Sequence, residues 1–357
     1  MKRLVSTTAL SMCLVLGLSV PTIAAPKKSK DKQSVPADRF DLSQWKITLP
    51  IDQNSDKRPD EIDVKQLRNY SHPDFFYLNQ DGHMVFVSPN KAATTQNSTN
   101  TRSELRQMLR GKNTKIKTHA AANNFAVKAR KDSDKFGAIG GKMEATLSVD
   151  RVSKNAALPD KKPVFSVVVG QIHSIKYKGK KGQFGFGNEP LKIFYKKFPN
   201  HETGSVFWTY ERNLARDNPN RKDIDYLVWG NNWDSKDDPA SKGIALGENF
   251  SYTVNVYRNT MYLSFENEAQ GTVTYAINLA NNVDANGKVD PLDNRYSYGG
   301  DHLYFKAGAY NQCSTKNDPG FFYPACGGIG DWETDKANGD YVQATFSKLV
   351  VSAATPM

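Results

Sequence analysis

The chain has 357 residues, a formal net charge of +11 and no long apolar segment outside its first residues. This excludes a protein that spans a membrane anywhere beyond its N-terminal segment. The positive charge favours a polyanionic partner, and nucleic acid, an anionic membrane and an acidic polysaccharide all fit it equally well.

The first residues have the pattern of an export signal. Two basic residues at the start precede an apolar stretch at 4–20, and small residues follow at Ala24 and Ala25. This order is typical of a secretory signal peptide, which we predict at 1–25. We therefore expect a secreted or periplasmic protein, for which an acidic polysaccharide is the most available polyanion.

Composition divides the rest of the chain into two parts. Residues 26–39 are rich in Lys, Ser and Pro and predict a disordered linker. Residues 40–353 show no further break in composition and no repeat, which predicts a single domain. Removal of the signal leaves Cys313 and Cys326, and two nearby cysteines in an exported chain favour one disulfide over two free thiols.

The domain has strand-like periodicity almost throughout. Its candidate strands are rich in Val, Ile, Phe, Tyr and Thr, and clusters of Gly, Asn, Asp and Pro separate them. A short helix is expected within 61–69. Many strands and few helices predict an all-β jelly-roll sandwich of two antiparallel sheets. The strands are expected at 45–49, 84–88, 143–149, 164–172, 191–195, 206–210, 252–257, 262–265, 272–277, 303–307 and 342–351.

Residues 101–107, with the sequence TRSELRQ, form an unusual candidate strand. Side chains alternate across a strand, so Arg102, Glu104 and Arg106 share one face. Glu104 could then fix both guanidinium groups and leave their outer edges free to bind carboxylates. The alternative is a solvated row of surface ion pairs.

Two other segments carry polar side chains on one face of a strand. Gln171 and His173 end an apolar run, and they supply an amide and a group that titrates near neutrality. Lys306 shares its strand face with Tyr310 if the strand continues through the small residues at 307–309. For each segment alone, a purely structural role is a fair alternative. His173 would then be a structural histidine, and Tyr310 would be a tyrosine packed in the core.

Together, the three segments resemble the motifs of the alginate lyases of polysaccharide lyase family 7. The family motifs R-[ST]-E-L-R, Q-[IV]-H and Y-x-K-A-G-x-Y-x-Q occur at 102–106, 171–173 and 304–312, in order and without a mismatch. The ends of the domain, at 45–50 and 346–351, are also similar to the family's terminal strands. The resemblance covers about residues 40–352.

The resemblance implies a jelly roll with a substrate groove and β-elimination of an acidic polysaccharide, alginate, to unsaturated oligosaccharides. It implies the catalytic residues Arg102, Gln171, His173 and Tyr310, and the substrate-binding residues Glu104, Arg106, Lys306 and Gln312. Isoleucine at the middle of the second motif, Ile172, goes with acceptance of polyguluronate or mixed stretches. No cofactor is implied, and nothing in the sequence demands more than a monomer.

Three rival functions have weaker support. A hydrolase motif echoed at 61–66 has Gln66 where hydrolysis needs a second carboxylate. A non-catalytic polysaccharide-binding jelly roll would explain the basic charge and the tryptophans without needing Tyr310. Nucleic-acid and membrane binding lack a recognisable module, and the scattered histidines predict no metal site.

Overall fold

The computed structural model describes residues 1, 34–157, 159–178, 184–316, 320 and 322–357. The expected signal peptide, apart from residue 1, and the linker as far as residue 33 lie outside the described residues. Within the expected linker, Val35 is buried and a 3-10 turn forms at Pro36–Asp38. The packed chain therefore includes residues before Phe40, where composition places the start of the domain.

Strands dominate the described chain. The helices there are α1 (Val64–Leu67) and α2 (Trp332–Asn338), with 3-10 turns at Pro36–Asp38, Ala121–Asn123, Ser133–Lys135 and Ala240–Lys242. The strands are β1 (Trp45–Thr48), β2 (Glu61–Ile62), β3 (Phe76–Leu78), β4 (Met84–Pro89), β5 (Asn100–Gln107), β6 (Phe125–Ala126), β7 (Ala138–Ile139), β8 (Gly141–Arg151), β9 (Ser166–Ser174), β10 (Tyr177–Lys178), β11 (Phe184–Gly185), β12 (Leu191–Lys196), β13 (Ser205–Glu211), β14 (Asp223–Trp229), β15 (Asn249–Tyr257), β16 (Thr260–Asn267), β17 (Gly271–Asn278), β18 (Leu303–Ser314) and β19 (Tyr341–Ser352).

Two large sheets form a jelly roll, as the sequence predicts. One has the order β14-β13-β12-β9-β18-β5-β1-β2, and β6 and β7 extend it beside β18. The other has the order β17-β16-β15-β8-β19-β4-β3. Pairing is antiparallel except between β6 and β7. We call them the ten-stranded and the seven-stranded sheet.

The predicted strands are all present, with changed ends. β9 begins and ends two residues later than the apolar run suggests, and β18 continues seven residues beyond its predicted end. The expected helix at 61–69 shrinks to α1, because β2 occupies its first residues. The predicted elements did not include β14, α2 or the short strands β2, β3, β6, β7, β10 and β11. Only three of the seven β14 side chains are buried, and α2 is too short to show helical periodicity.

The core lies between the two sheets and is filled by the inward side chains of each strand. Ile172 of β9 and Phe305 of β18 are opposite each other and fully buried there. The Oη of Tyr252, from the seven-stranded sheet, donates to the carbonyl oxygen of Val169 at 3.1 Å. Because strands alternate, Gln171 and His173 project from the other face of the ten-stranded sheet.

Candidate active site

The three motifs meet on the outer face of the ten-stranded sheet, on the adjacent strands β5, β18 and β9. Tyr310 is opposite Arg102 in the β18–β5 register. Lys306 is opposite Gln171 in the β18–β9 register, and Tyr304 is opposite His173. Residues far apart in sequence are thereby placed on one face of three neighbouring strands.

Gly308 allows β18 to lie against β5. Its φ of +143° is in the region that favours glycine. A Cβ atom at this position would lie 2.5 Å from the carbonyl oxygen of Ser103 and 2.9 Å from the Cα of Glu104. Any side chain here would force the strands apart, and with them Arg102 and Tyr310.

Glu104 is the ionic centre of this face. It is 1 % exposed and accepts a hydrogen bond from Nη1 of Arg102 at 3.2 Å. Its two carboxylate oxygens also accept from Nε2 of Gln171 and from Nζ of Lys306. Burial lowers the pKa of Lys306 to about 8, although Glu104 acts in the opposite direction. A buried carboxylate with three donors fixes those donors in place.

The expectation that Glu104 fixes both neighbouring arginines is wrong for Arg106. In the structure, Arg106 donates to Oδ1 of Asn124 at 2.6 Å, and its guanidinium carbon lies 4.0 Å from the ring centre of Tyr304. Strand parity places Arg106 on the predicted face, but the loop at 108–124 supplies nearer acceptors. Arg106 is 5 % exposed, so it supports the floor of the site and presents little free edge to a carboxylate.

Tyr310 lies beside two cations and a hydroxyl. Its Oη is 3.3 Å from Oγ of Ser98, which also accepts from Nη2 of Arg102 at 3.0 Å. The guanidinium carbon of Arg102 lies 4.1 Å from the ring centre of Tyr310, and Nζ of Lys306 lies 5.8 Å from it. The ring of Tyr310 is thus close to the positively charged groups of both Arg102 and Lys306.

Two buried polar atoms at the site have no partner among the described residues. They are Nε of Arg102, a donor, and Oε1 of Gln171, an acceptor. Nearly all buried polar atoms in proteins are hydrogen bonded, so these two unpaired atoms are candidates for contact with water or a ligand.

His173 is held on three sides. Its Nδ1 is 2.6 Å from the carbonyl oxygen of Ser174, and its Nε2 is 2.9 Å from Oε1 of Glu189. Its ring stacks on Tyr304, with ring centres 5.4 Å apart and an interplanar angle of 9°. Its side chain is 24 % exposed, more than those of Arg102 and Lys306. Glu189, which sequence reasoning missed, is therefore part of the site.

Glu189 belongs to an ionic network over β12, β13 and β14. Lys192 lies 3.6 Å from Glu189 and 3.0 Å from Asp223. Burial would raise the pKa of Glu189, but the charges of His173 and Lys192 outweigh it and hold this pKa well below its usual range. Burial and the charge of Glu189 raise the pKa of Glu211 well above its usual range. The positive charge of Lys192 beside Glu189 favours the ionised form of that carboxylate.

Gln312 is one of the candidates that are almost fully buried, as Glu104 and Gln171 also are. It is 1 % exposed, and its Nε2 donates to the carbonyl oxygen of Tyr310 at 3.2 Å. It supports the backbone of β18 next to the tyrosine. Strand parity alone could not distinguish this supporting position from a substrate contact.

The predicted disulfide between Cys313 and Cys326 is present. Within the loop that it closes, the ring of Phe322 contacts the ring of Trp233, with ring centres 6.0 Å apart. Burial and the nearby charge of Tyr310 raise the pKa of Tyr323, which places this loop residue beside the site. A buried apolar cluster adjoins Tyr310 on the same side and contains Val168, Phe194, Phe207 and Trp233.

Two further observations on the described residues concern membrane-spanning helices and metal sites. In the described chain, neither α-helix has the length and apolar content needed to cross a membrane. Among the same residues, no group of three or more His, Cys, Asp or Glu side chains is arranged to hold a metal ion.

Comparison with known proteins decides the family. The family model described as alginate lyase matches residues 40–353. The chain belongs to the alginate lyase family. A curated alginate lyase from Klebsiella pneumoniae is 34 % identical over 355 residues, which cover 95 % of this chain and 94 % of that protein.

Solved structures of alginate lyases agree with this membership. The crystal structure of the alginate lyase from Klebsiella pneumoniae has a TM-score of 0.70 and 30 % identity, over 90 % of this chain and 99 % of that chain. The exolytic PL7 alginate lyase AlyA5 from Zobellia galactanivorans has the same TM-score and coverage, at 32 % identity. As a member of the alginate lyase family, the chain is a polysaccharide lyase, and the hydrolase and binding-module alternatives are set aside.

Proposed function

We propose that the chain is an exported alginate lyase that cleaves 4-O-linked uronate bonds by β-elimination, with Arg102, Gln171, His173 and Tyr310 as its catalytic residues. The observation that carries this proposal is the position of Tyr310, which lies against the guanidinium of Arg102 on a face whose cations are fixed by buried Glu104. We further propose that it acts as a monomer without a cofactor and needs neither nucleic acid nor a membrane.

The chemistry has three requirements that these residues can meet. The C6 carboxylate must be neutralised so that H5 becomes acidic, a base must remove H5, and an acid must protonate O4. The guanidinium of Arg102, the amide of Gln171 and the ring of His173 can surround the carboxylate and stabilise the charge that develops in the intermediate. Tyr310 is the proton donor to O4.

The base depends on the sugar. In mannuronate, H5 and O4 lie on the same side of the ring, so the oxygen of Tyr310 can remove H5 and then return the proton to O4. In guluronate they lie on opposite sides, so His173 removes H5 while Tyr310 protonates O4. The two sugars therefore make different demands on the same pair of side chains.

We propose that guluronate-containing stretches, as polyguluronate or mixed sequence, are accepted. The basis is Ile172, through the resemblance of its motif to that of guluronate-accepting members. Ile172 is fully buried in the core and faces away from the site, so any influence on the substrate acts through the placement of Gln171 and His173 on β9.

Release of short unsaturated oligosaccharides from a chain end is a second proposal about the same function. The disulfide-closed loop places Tyr323 near Tyr310, and the buried cluster around Trp233 fills the sheet face on that side. A face covered on one side of the catalytic tyrosine leaves little room for a long polymer there. The similarity to an exolytic alginate lyase supports the same proposal.

A spectrophotometric assay tests the function. The purified protein is incubated with polymannuronate, polyguluronate and unsulfated glucuronan in the presence of a chelator, and ultraviolet absorbance follows the unsaturated 4,5-bond. We expect absorbance to rise on an alginate block and kcat to fall by about 10²–10⁴-fold in Tyr310→Phe. Tyr262→Phe, on the seven-stranded sheet, is the matched control and should keep full activity.

The assay can also contradict the proposed function. If no polymer gives an absorbance increase while alginate binding is still detected, the β-elimination proposal is wrong. Product lengths followed over time test the second proposal, because release from an end gives short products from the start, whereas internal cleavage first gives long ones.

A further inference from the structure

Both ring nitrogens of His173 face oxygen atoms of the protein. Nδ1 is 2.6 Å from the carbonyl oxygen of Ser174, which can only accept a hydrogen bond. Nε2 is 2.9 Å from Oε1 of Glu189, which also only accepts when it is ionised. The two contacts are both satisfied only when the ring carries a proton on each nitrogen and is cationic.

The surroundings of Glu189 keep its carboxylate ionised. Oε2 of Glu189 is 3.6 Å from Nζ of Lys192, and Oε2 of Glu211 accepts a hydrogen bond from the backbone N–H of Glu189 at 3.0 Å. The positive charge of Lys192 favours the ionised form of this carboxylate.

Other charged and titratable groups also face this pair, and several are cations that disfavour a charged ring. Glu189 outweighs them because its oxygen is within hydrogen-bond distance of the ring, and charge interactions weaken with distance. The groups are Arg102 and Glu104 on β5, Tyr304 and Lys306 on β18, Lys192 on β12, Glu211 on β13, Asp223 on β14, Arg221 just before β14, and Tyr323 of the disulfide-closed loop.

We infer that Glu189 is a positioning residue that keeps both ring nitrogens of His173 protonated and thereby favours elimination at mannuronate over elimination at guluronate. This inference rests on the proposed function. Glu189 acts through His173. Its effect differs between the two sugars because elimination at mannuronate starts with a protonated His173 ring and elimination at guluronate starts with a neutral one.

Elimination at mannuronate starts with His173 as the cation and Tyr310 as the phenolate. The phenolate takes H5, the C4–O4 bond breaks as the C4–C5 double bond forms, and the same proton passes to O4. Elimination at guluronate starts with a neutral His173 and a neutral Tyr310. The ring takes H5, the phenol gives its proton to O4, and a proton then returns from the ring to the phenolate through solvent.

The two starting states contain the same number of protons and differ only in where one proton lies. The ratio of the guluronate rate to the mannuronate rate therefore does not depend on pH and reports the equilibrium between the two states. Glu189 stabilises the state with the cationic ring of His173. Removal of its charge should shift the equilibrium towards the neutral ring and raise the ratio.

The test compares Glu189→Gln with the wild-type protein on polyguluronate and polymannuronate from pH 6 to pH 8. We expect the ratio of the two kcat/KM values to rise roughly tenfold, the effect of losing one close charge, by the same factor at each pH. Glu144→Gln is the matched control, because Glu144 also lies between two lysines but on the seven-stranded sheet. Its ratio should equal that of the wild type.

Two outcomes would overturn the inference. One is an unchanged ratio, with both rates falling together, as expected if Glu189 only supports the fold. The other comes from nitrogen NMR of the wild-type protein and does not require the variant to fold. With the His173 signals assigned by His173→Asn, both ring nitrogens should be protonated at pH 7, and a neutral ring contradicts the inference. If the wild type forms no unsaturated product on either block, the proposed function fails, and the NMR result still shows separately whether the ring of His173 is protonated on both nitrogens.

Discussion

The two sheets each carry a glutamate between two cations, and only one of these sets forms a site. Glu104 on the ten-stranded sheet contacts Arg102 and Lys306, and its side chain is 1 % exposed. Glu144 on the seven-stranded sheet contacts Lys142 at 3.3 Å and Lys348 at 3.2 Å, and its side chain is 26 % exposed.

The difference lies in what surrounds the charges. Water screens the Glu144 set and leaves its long side chains free to move, so its ion pairs contribute little to stability. Around Glu104, burial removes the water, and each charge then depends on its partners for compensation. The same plus–minus–plus arrangement therefore becomes a fixed electrostatic surface on one sheet and an ordinary solvated row on the other.

Glu104→Gln should have the largest effect. It leaves Arg102 and Lys306 without their counter-charge in a buried place, at a cost of about 3–5 kcal/mol in the free energy of unfolding. We expect kcat to fall by at least about 10²-fold, because the cations beside Tyr310 lose their fixed positions. Urea unfolding and the absorbance assay measure the two effects. A variant with wild-type stability and rate would show that the buried set is no different from the exposed one.

The pH dependence of activity should show an intermediate effect at Lys306. Its pKa is lowered to about 8, so its positive charge is present below that pH and is lost as the pH rises through it. We expect kcat/KM on alginate to decrease with a midpoint near pH 8. In Lys306→Arg the guanidinium keeps its proton, so the decrease should move to higher pH. An alkaline limit that stays in place would assign the decrease to another group.

Glu144→Gln should have the smallest effect. Its ion pairs are partly exposed, so the free energy of unfolding should change by less than about 1 kcal/mol. Its activity should equal that of the wild type on every block. A larger loss of stability would mean that exposure does not distinguish the two sets, and the comparison would then need another explanation.

Strand parity explains why much of the site could be predicted from sequence. Arg102, Glu104, Gln171 and Lys306 share faces within their own strands, and a period of two is a local property. Tyr310 lies on the predicted face as well, because β18 continues past Gly308 in its pairing with β5. The disulfide followed from a count of two cysteines in a chain expected to be exported.

The parts that sequence could not predict depend on contacts between distant segments. Glu189 stands alone before Pro190 in a loop, and its contact with His173 arises only when β12 pairs with β9. The predicted partner of Arg106 was wrong because strand parity determines only the face on which a side chain lies. The rotamer of Arg106 depends on its hydrogen bond to Asn124 in the neighbouring loop. No local pattern carries either piece of information.

The strand order of the ten-stranded sheet has a consequence for how the protein is made. β18 lies between β5 and β9, although it follows them in the chain, and Lys306 is separated from Glu104 by 202 residues. A ribosome therefore completes β5 and β9 long before the strand that joins them exists. Pairings between such distant segments form slowly, because a long loop must close first. Glu104 can meet Arg102 and Gln171 before then, but Lys306 joins it only after another 202 residues have been added, so the candidate active site is completed late in synthesis.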